Sequence, residues 1–243
     1  MSSTELTIII PVYNEARTLQ KVISDWHTEA DRLGIRHLIH ILDDDSTDGS
    51  FEQTEAWAQK ESWLRITRRP HAGHGPAIRH GYESADSTWI FQVDSDDEID
   101  TSAFAELWAH RDAFDLLIGY RSTPRLSRLR GFVAATARRS VNLLFGKTAR
   151  DVNCPFRLVR TALLQRALPR IPVMAFAPNV LMAGLAAADG WRIYEAPVIC
   201  RYEQYRPSYL RNMQLAKAAS RAFRDLLQTA LHARTGAHEK PDR

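Results

Sequence analysis

The order of strands and helices along the chain predicts an α/β fold with a mainly parallel sheet and helices on both faces. In the first half, short apolar runs rich in Ile, Leu and Val alternate with stretches of helical periodicity. This alternation favours right-handed strand–helix–strand crossovers, which place the strands parallel. Polar and acidic residues follow the strands directly, and such loops gather at the carboxyl edge of a parallel sheet. We therefore expect a ligand site at that edge.

The individual elements of the first half follow from length, periodicity and flanking residues. Each predicted strand is a short apolar run bounded by polar or turn-forming residues. The predicted strands are residues 6–10, 37–42, 63–67, 89–93 and 115–119. The predicted helices are one that Asn14 caps and Gly34 ends, one that runs to about residue 58, one over 76–85 and one over 104–110.

The second half is less regular and ends in an amphipathic segment. The predicted elements are a basic helix over 125–145, a strand over 156–160, helices over 161–168 and 179–188, and a strand over 191–200. From 209 to about 233 the tail has helical periodicity. Its apolar side comprises Leu210, Met213, Phe223, Leu226, Leu227 and Ala230, and Arg211, Lys217, Arg221 and Arg224 lie on or near the other side. We expect this helix to pack on its own domain, and its basic face also permits contact with a membrane surface.

Length and composition favour one large domain. The chain has 243 residues, of which 44% are hydrophobic. We expect a domain over residues 1–205, a helical extension over 206–233 and a disordered tail over 234–243. Cys154 and Cys200 form neither a disulfide framework nor a zinc motif, which indicates a reducing compartment. Without a secretory leader or a membrane-spanning run in the sequence, we expect a cytoplasmic protein that can bind peripherally to the cytoplasmic membrane face.

The charge is unevenly distributed although the net charge is only +3. Acidic residues concentrate within 43–115, whereas 121–170 contain eleven Arg and one Lys against a single acid, Asp151. An acidic site beside a basic face suits a metal-bound diphosphate next to a second anion. Nucleic acid is not an expected partner because no recognised binding motif accompanies the arginines.

An acidic cluster follows the fourth predicted strand in the stretch FQVDSDDEID. Asp94 and Asp96 lie on the same side of the chain if it stays extended. Their hard oxygen ligands suit Mg²⁺ or Mn²⁺, which usually take one or two protein carboxylates and complete their shell with phosphate and water. In the stretch HAGHG, Gly73 and Gly75 could bring backbone N–H groups near a phosphate at the start of a helix.

These motifs together resemble the family 2 glycosyltransferases of the GT-A fold. The resemblance lies in the order and spacing of TIIIPVYNEARTL, ILDDDSTDGS, HAGHGPAIRHGYESA and WIFQVDSDDEID. Later segments, DLLIGYR, ARRSVNLLFG, DVNCPFRLVR and GWRIYEAPV, look most like the branch that glycosylates polyprenyl or dolichyl phosphate. The resemblance covers about residues 6–205.

The resemblance implies an enzyme that transfers a sugar, with inversion, from a uridine- or guanosine-diphosphate sugar. The nucleotide pocket would then comprise Pro11, Tyr13 and Glu15, Asp43 and Asp44 at the base or ribose, Gly73 and Gly75 close to the nucleotide, and Asp94 at the ribose. Asp94, Asp96 and Glu98 would hold Mg²⁺ or Mn²⁺. Arg121 and Arg139 match arginines that bind the donor diphosphate or the acceptor phosphate, for which a planar guanidinium is suited.

The sequence leaves two classes of acceptor open. A polyprenyl phosphate is the first expectation, and its anionic oxygen needs no strong general base. If the acceptor is instead a saccharide or small-molecule hydroxyl, a carboxylate must take its proton, and Asp151 is the candidate, although it could equally form a structural ion pair with an arginine. A non-catalytic nucleotide-sugar-binding protein is the alternative of another class, which intact Asp94, Asp96 and Glu98 oppose.

Three departures from the family pattern bear on that choice. Asp45 stands where relatives usually carry Gly, and Asn179 stands where the branch commonly has Glu. The terminal R-x-x-G-x-S segment is replaced by RYEQYRPSYL. The last departure favours the hydroxyl acceptor, whereas the RRSVN and DVNCPFRLVR segments favour the lipid phosphate.

Overall fold

The computed structural model describes residues 4–121, 128–200 and 212–235. The strands are β1 Leu6–Val12, β2 His37–Asp43, β3 Leu64–Arg68, β4 Trp89–Gln92, β5 Leu116–Arg121, β6 Arg157–Arg160 and β7 Ile193–Val198. The helices are α1 Leu19–Arg32, α2 Ser50–Ala58, α3 His74–Ser84, α4 Phe104–His110, α5 Arg128–Phe145, α6 Thr161–Ala167, α7 Pro178–Ala188 and α8 Asn212–Thr235. Every element predicted from the sequence is present, with ends that differ by a few residues.

The strands form one seven-stranded sheet in the order β3-β2-β1-β4-β6-β5-β7. All neighbours pair in parallel except β6, which is antiparallel to both β4 and β5. The prediction of a mainly parallel sheet is therefore confirmed. Val12 pairs with Asp43 at the end of the β1–β2 ladder, so the loops that follow these strands start side by side.

Helices cover both faces of the sheet. Successive side chains of each strand point to opposite faces, so each strand contributes to two packing layers. On one face, the ring of Trp26 in α1 lies 5.0 Å from that of Phe91 in β4 and 6.0 Å from that of Phe156, the residue just before β6. On the other face, α3 packs so closely on β1 and β2 that a Cβ at Gly81 would meet the Leu42 and Ile9 side chains. β1 is buried along its whole length, as expected for a strand between two helical layers.

The predicted cap of the first helix is wrong. Asn14 has a φ of +56° and lies outside α1, which begins at Leu19 with Thr18 as N-cap residue. The Asn14 side chain instead accepts a hydrogen bond from the Thr47 backbone N–H at 2.8 Å. A contact with the loop after β2 thus replaces the local cap that the sequence suggested.

The structure divides the predicted apolar side of the C-terminal helix into two groups. Of the predicted residues, Leu226 and Ala230 are buried and Phe223 and Leu227 are exposed, whereas the side chains of Leu210 and Met213 lie outside the described residues. Leu231, one turn beyond Leu227, is exposed as well. α8 therefore packs on the domain and also presents an apolar stripe to solvent. In the part of the chain that the structure describes, no helix is both long and apolar enough to cross a lipid bilayer.

Several predictions concern residues outside the described ranges. Leu210 and Arg211 belong to the segment 201–211, and the predicted disordered tail corresponds mostly to 236–243. The helix α8 itself ends at Thr235. The domain boundary at 205 and the disorder of the tail therefore stay predictions.

Candidate functional site

A cavity of about 270 Å³ lies at the carboxyl edge of β1, β2 and β4. Its lining comes from four separate loops and comprises Pro11, Val12, Tyr13, Glu15, Asp44, His71, Gly73, His74, Ala77, Asp94, Ser95 and Asp96. Parallel pairing of β1, β2, β3 and β4 brings these loops together, as the sequence pattern predicts. Asp43 and Gly75, which belong to the predicted pocket, do not line the cavity.

The loops after β1 and β2 are fastened to each other by side chains of the DDDSTDGS stretch. Ser46 Oγ accepts the Asn14 backbone N–H, and Ser50 Oγ accepts the Glu15 backbone N–H, both at 3.0 Å. Asp48 Oδ2 accepts the Ala16 N–H at 2.9 Å. These bonds hold the loop that carries Tyr13 and Glu15 against the base of the cavity.

Asp44 organises the glycine-containing loop before α3. Its two carboxylate oxygens accept the backbone N–H groups of Ala72 and Gly73 at 2.9 and 2.8 Å, and His71 Nδ1 lies 2.9 Å from Oδ2. Gly73 has a φ of +98°, a conformation that favours glycine at this bend. The buried Asp44 therefore shapes the cavity wall through three neighbours while its surface still borders the cavity.

Asp43 lies beneath the cavity at the end of β2. It is buried, and its Oδ2 accepts the Ser46 N–H at 3.1 Å. Its Oδ1 has no hydrogen-bond partner among the described residues. The structure therefore places Asp43 as a support of the loop after β2, and a direct contact with base or ribose stays a prediction.

An aromatic pair stands at the mouth of the cavity. The rings of Tyr13 and His71 are 4.6 Å apart and tilted by 39°, and Tyr13 is 49% exposed. Flat rings at the opening can pack against a nucleobase. Sequence reasoning selected Tyr13 but missed His71, although both histidines of the HAGHG stretch line the cavity.

The acidic loop after β4 closes the opposite wall. Asp94 Oδ1 accepts a hydrogen bond from Gln92 Nε2 at 3.2 Å and lies 3.5 Å from His74 Nε2. Asp96 Oδ1 accepts the Glu98 backbone N–H at 3.1 Å. Thr18 Oγ1 reaches both Glu15 Oε2 and the Ser95 carbonyl, which connects this loop with the start of α1. Two carboxylates are thereby held on the cavity wall.

Negative charge accumulates on this loop. Partial removal from water, followed by the charges of Asp94, Glu98 and Glu15, raises the pKa of Asp96 to about 6. Carboxylate oxygens with accumulated negative charge fit a hard divalent cation. Asp94, Asp96 and Glu98 do not bring one oxygen each within 4.8 Å of one another, so the described loop does not form a closed three-carboxylate ligand set.

A buried polar network lies directly behind Asp94. Asn179 Nδ2 donates to Gln92 Oε1 at 2.8 Å, and Tyr82 OH donates to Asn179 Oδ1 at 3.0 Å. Arg157 is fully buried and donates to the carbonyls of Cys154, Val152 and Asn179. Asn179 thus orients Gln92, which in turn contacts Asp94. It does so from the position at which the family resemblance implies Glu.

Arg121 and Asp151 form an ion pair with each other. Arg121 Nε and Nη2 donate to the two oxygens of Asp151 at 2.8 and 3.3 Å. Burial opposes the charge of Arg121, but Asp151 outweighs it and raises the pKa of the guanidinium above its ordinary value. Burial, followed by Asp151, also raises the pKa of the neighbouring Cys154 to about 12, which makes it a packed thiol as the sequence indicates.

Two other predicted site residues, Arg139 and Gly75, do not line the cavity. Arg139 is exposed on α5, and among the described residues no hydrogen bond or ion pair joins it to the acidic loop. A Cβ at Gly75 would meet the Ala175 carbonyl oxygen at 2.1 Å and the Phe176 carbonyl oxygen at 2.9 Å. This close packing is by itself sufficient reason for glycine at position 75. The contact of Gly75 with a nucleotide therefore stays a prediction.

The seven-stranded sheet with an acidic cavity at its carboxyl edge has the architecture of the GT-A fold. The chain belongs to glycosyl transferase family 2, whose family model matches residues 7–164. Protein RfbJ of Shigella flexneri is 28% identical over 121 residues, which are 49% of this chain and 87% of that protein.

Solved structures with the same fold include two sugar-3-phosphoglycerate synthases. Glucosyl-3-phosphoglycerate synthase from Mycobacterium tuberculosis, in complex with Mn²⁺, UDP-glucose and phosphoglyceric acid, has a TM-score of 0.64 and 17% identity, with 94% of this chain and 80% of that chain covered. Mannosyl-3-phosphoglycerate synthase from Rubrobacter xylanophilus has a TM-score of 0.66 and 12% identity, with 99% and 77% covered. S. aureus TarS 1-349 has a TM-score of 0.56 and 19% identity, with 79% of this chain but only 58% of TarS 1-349 covered. At these identities the similarity establishes the fold.

Proposed function

We propose that this protein is a metal-dependent inverting glycosyltransferase that moves a sugar from a uridine- or guanosine-diphosphate sugar to a polyprenyl phosphate. The observation that carries the proposal is the cavity whose aromatic mouth faces an acidic wall. Tyr13 and His71 would pack against the base, and Asp94 would contact the ribose. Family membership supports the use of a nucleotide-activated sugar.

The donor set of the acidic wall fits Mg²⁺ or Mn²⁺ as cofactor. Asp94 and Asp96 would hold the ion, with phosphate oxygens and water as further ligands, and Glu98 is the predicted third carboxylate. When bound, such an ion neutralises charge on the leaving diphosphate. Asp94 and Asp96 both line the cavity, so a bound cation would relieve the repulsion between their carboxylates.

The Arg121–Asp151 pair supports an acceptor that carries phosphate. Asp151 holds the guanidinium of Arg121 in one orientation, and a planar guanidinium binds phosphate oxygens in pairs. A phosphate oxygen is already anionic, so its attack depends on position and on charge stabilisation rather than on a strong base. Arg139 is a second predicted phosphate contact, on the exposed side of α5.

A hydroxyl acceptor on a small molecule is the second candidate. The M. tuberculosis enzyme of the same fold was solved with phosphoglyceric acid, which carries both a phosphate and a hydroxyl. With such an acceptor, Arg121 would bind the phosphate and Asp151 would have to release Arg121 to take the hydroxyl proton. The replaced R-x-x-G-x-S segment is the sequence feature that favours this alternative.

The exposed stripe of α8 supports peripheral contact with a membrane, which a polyprenyl phosphate requires. Phe223, Leu227 and Leu231 face solvent beside Arg224, and Leu143 on the neighbouring α5 is 84% exposed. Apolar side chains flanked by arginine suit an anionic lipid surface. Sedimentation with anionic vesicles should recover the protein, and the double variant Phe223→Ser/Leu227→Ser should stay in the supernatant. Equal recovery of the wild type and the double variant with the vesicles would show that this stripe does not bind membranes.

The donor assignment is tested by calorimetry with chelator-stripped protein. UDP or GDP should bind at least tenfold more tightly with Mn²⁺ or Mg²⁺ than without, and Asp96→Ala should lose that gain. Asp86→Ala is the matched control because Asp86 is an exposed aspartate at the opposite end of β4. Metal-independent binding of every nucleotide, or an unchanged metal effect in Asp96→Ala, would overturn the proposal.

The acceptor is tested by product analysis with a panel of nucleotide sugars. A short polyprenyl phosphate should yield a glycosylated lipid product, whereas phosphoglyceric acid should yield only slow donor hydrolysis. The reverse pattern would establish the second candidate. Nucleotide binding without turnover on either acceptor would indicate a non-catalytic nucleotide-sugar-binding protein.

A further inference from the structure

A second cluster of metal-ligand side chains lies at the opposite edge of the sheet from the acidic cavity. His27 and Asp31 are one turn apart in the second half of α1, and His37 is the first residue of β2. Because β1, β2 and β4 run parallel, the beginning of β2 lies at the amino edge, remote from Asp94 and Asp96. The cluster takes no part in the proposed sugar transfer.

The three side chains lie close together. One donor atom from each of His27, Asp31 and His37 lies within 4.8 Å of the other two, and this is the one such group among the described residues. His27 Nδ1 is 2.9 Å from His37 Nε2, and His27 Nε2 is 3.5 Å from Asp31 Oδ2. Ligands of a zinc ion lie about 2.0–2.2 Å from the metal. Because His37 and Asp31 face opposite nitrogens of His27, the exposed Asp31 carboxylate would have to turn toward the His27 Nδ1–His37 Nε2 pair to share one ion.

A backbone contact fixes the tautomer of His37. Its Nδ1 lies 2.9 Å from the Ile35 carbonyl oxygen, which can only accept a hydrogen bond. Nδ1 therefore carries a proton, and Nε2 directs its lone pair toward His27. A ring N–H donated to a backbone carbonyl is the usual way in which proteins orient a metal-binding histidine.

Packing restrains the imidazole ring of His27. His27 is stacked on the Trp63 indole, with centroids 3.7 Å apart and planes within 6°. Trp63 in turn donates its Nε1–H to Glu61 Oε2 at 2.9 Å. An open cleft lined by Thr4, Arg36 and Trp63 leads to the cluster, so an ion can enter from solvent.

We propose that His27, Asp31 and His37 form a second metal site, which binds a divalent transition metal of the zinc class. Two imidazole nitrogens with one carboxylate suit Zn²⁺ better than Mg²⁺ or Mn²⁺, which prefer oxygen ligands. The two sites therefore select different ions. A bound ion would join α1 to β2 and stabilise the fold, and its fourth position stays open to water.

The site is tested by titrating chelator-stripped protein with Zn²⁺ in the presence of excess Mg²⁺, which is added to fill the proposed site at the acidic cavity. The wild type should bind Zn²⁺ saturably, and Co²⁺ should produce the visible absorption of a low-coordinate complex. His27→Gln and Asp31→Asn should each weaken Zn²⁺ binding at least tenfold. His110→Gln, a variant of an exposed histidine on α4, should bind as the wild type does.

Fluorescence supplies a second measurement that does not depend on activity. Metal binding should change the emission of Trp63, and the change should disappear in Trp63→Phe and in His27→Gln. Asp31 is exposed, so Asp31→Asn keeps the test valid even if the histidine variants fold poorly. Absence of saturable Zn²⁺ binding in the wild type, or undiminished binding in both His27→Gln and Asp31→Asn, would show a hydrogen-bonded cluster without a metal role.

Discussion

Asp45 holds a backbone conformation that most side chains avoid. Its φ is +66°, and its Oδ1 lies 3.3 Å from Arg68 Nε. The family resemblance leads one to expect glycine at this position. Aspartate is one of the few other residues that adopt the left-handed region at low cost, so the departure keeps the turn after β2 intact.

This explanation predicts opposite outcomes for two substitutions of Asp45. Asp45→Gly should stay within about 1 kcal/mol of the wild type, because glycine accepts the same φ. Asp45→Val should lower the free energy of unfolding by about 1–2 kcal/mol, because a β-branched side chain clashes in the left-handed region. Urea unfolding of the three proteins measures both differences. Equal stability of the valine variant and the wild type would refute the conformational explanation.

His40 is a buried histidine that the fold keeps neutral. It lies in β2, with Nε2 2.9 Å from Thr67 Oγ1. Burial, followed by the positive charges of Arg65 and His80, lowers the pKa of His40 to about 4. Between that value and the ordinary histidine pKa of about 6.5, the unfolded chain binds the proton and the folded chain does not.

The free energy of unfolding should therefore fall as the pH decreases from about 6.5 to about 4, with a contribution from His40 of up to about 3 kcal/mol. Above pH 6.5 this contribution should be constant. Urea unfolding of the wild type and of His40→Gln at pH 7.5, 6 and 5 isolates the effect. As the pH falls, the wild type should lose stability relative to His40→Gln. A difference in stability that does not change with pH would contradict the prediction.

At the scale of elements, α3 fits tightly between the sheet and the segment before α7. Its second residue, Gly75, lies against the backbone carbonyls of Ala175 and Phe176, whereas Gly81 lies against the side chains of Leu42 and Ile9. Side-chain ends can move by rotation, but a backbone carbonyl moves only with its segment. The helix is thus positioned by two contacts of different stiffness.

We expect Gly75→Ala to cost more stability than Gly81→Ala. The Cβ at Gly75 would lie 2.1 Å from the Ala175 carbonyl oxygen, and overpacking against rigid neighbours costs about 1–3 kcal/mol. At Gly81 the nearest atom is Leu42 Cδ1 at 2.5 Å, which can rotate away. Thermal and urea unfolding of both variants provide the comparison. A larger loss in Gly81→Ala would show that side-chain packing on the sheet is the stiffer contact.

At the scale of the whole molecule, the cavity exists only in the folded chain. Its walls come from loops after β1, β2, β3 and β4, and these loops are separated by tens of residues in sequence. A nucleotide held there would bind the folded chain and not the unfolded one. Binding should therefore stabilise the whole domain and not a single loop.

A metal–nucleotide complex at about 100 times its dissociation constant should add about 2.7 kcal/mol to the free energy of unfolding. For a chain of this size, that gain corresponds to a rise in Tm of about 5–10 °C. Thermal denaturation of stripped protein with UDP or GDP, with and without Mn²⁺, measures the shift. Asp96→Ala should lose most of the shift that Mn²⁺ adds, whereas an equal shift in that variant would place the ion elsewhere.

Much of this architecture could be predicted from local sequence patterns. Apolar runs such as residues 6–10 must be buried, and their alternation with helices favours parallel strands that share a carboxyl edge. The acidic stretch at Asp94 and Asp96 and the aromatic Tyr13 follow those strands, so their meeting at one cavity was predictable. His71 and His74 could also have been selected, since they belong to the same HAGHG stretch as Gly73.

The sequence by itself determined the α/β class, the succession of strands, helices and motifs along the chain, and the acidic edge, because burial periodicity and the residues after each strand are local properties. The tertiary structure decided which side chains meet. The antiparallel direction of β6, the Arg121–Asp151 pair and the cluster of His27, Asp31 and His37 depend on contacts between segments distant in sequence. Such contacts depend on the path of the chain across the sheet, and a local sequence pattern carries no information about that path.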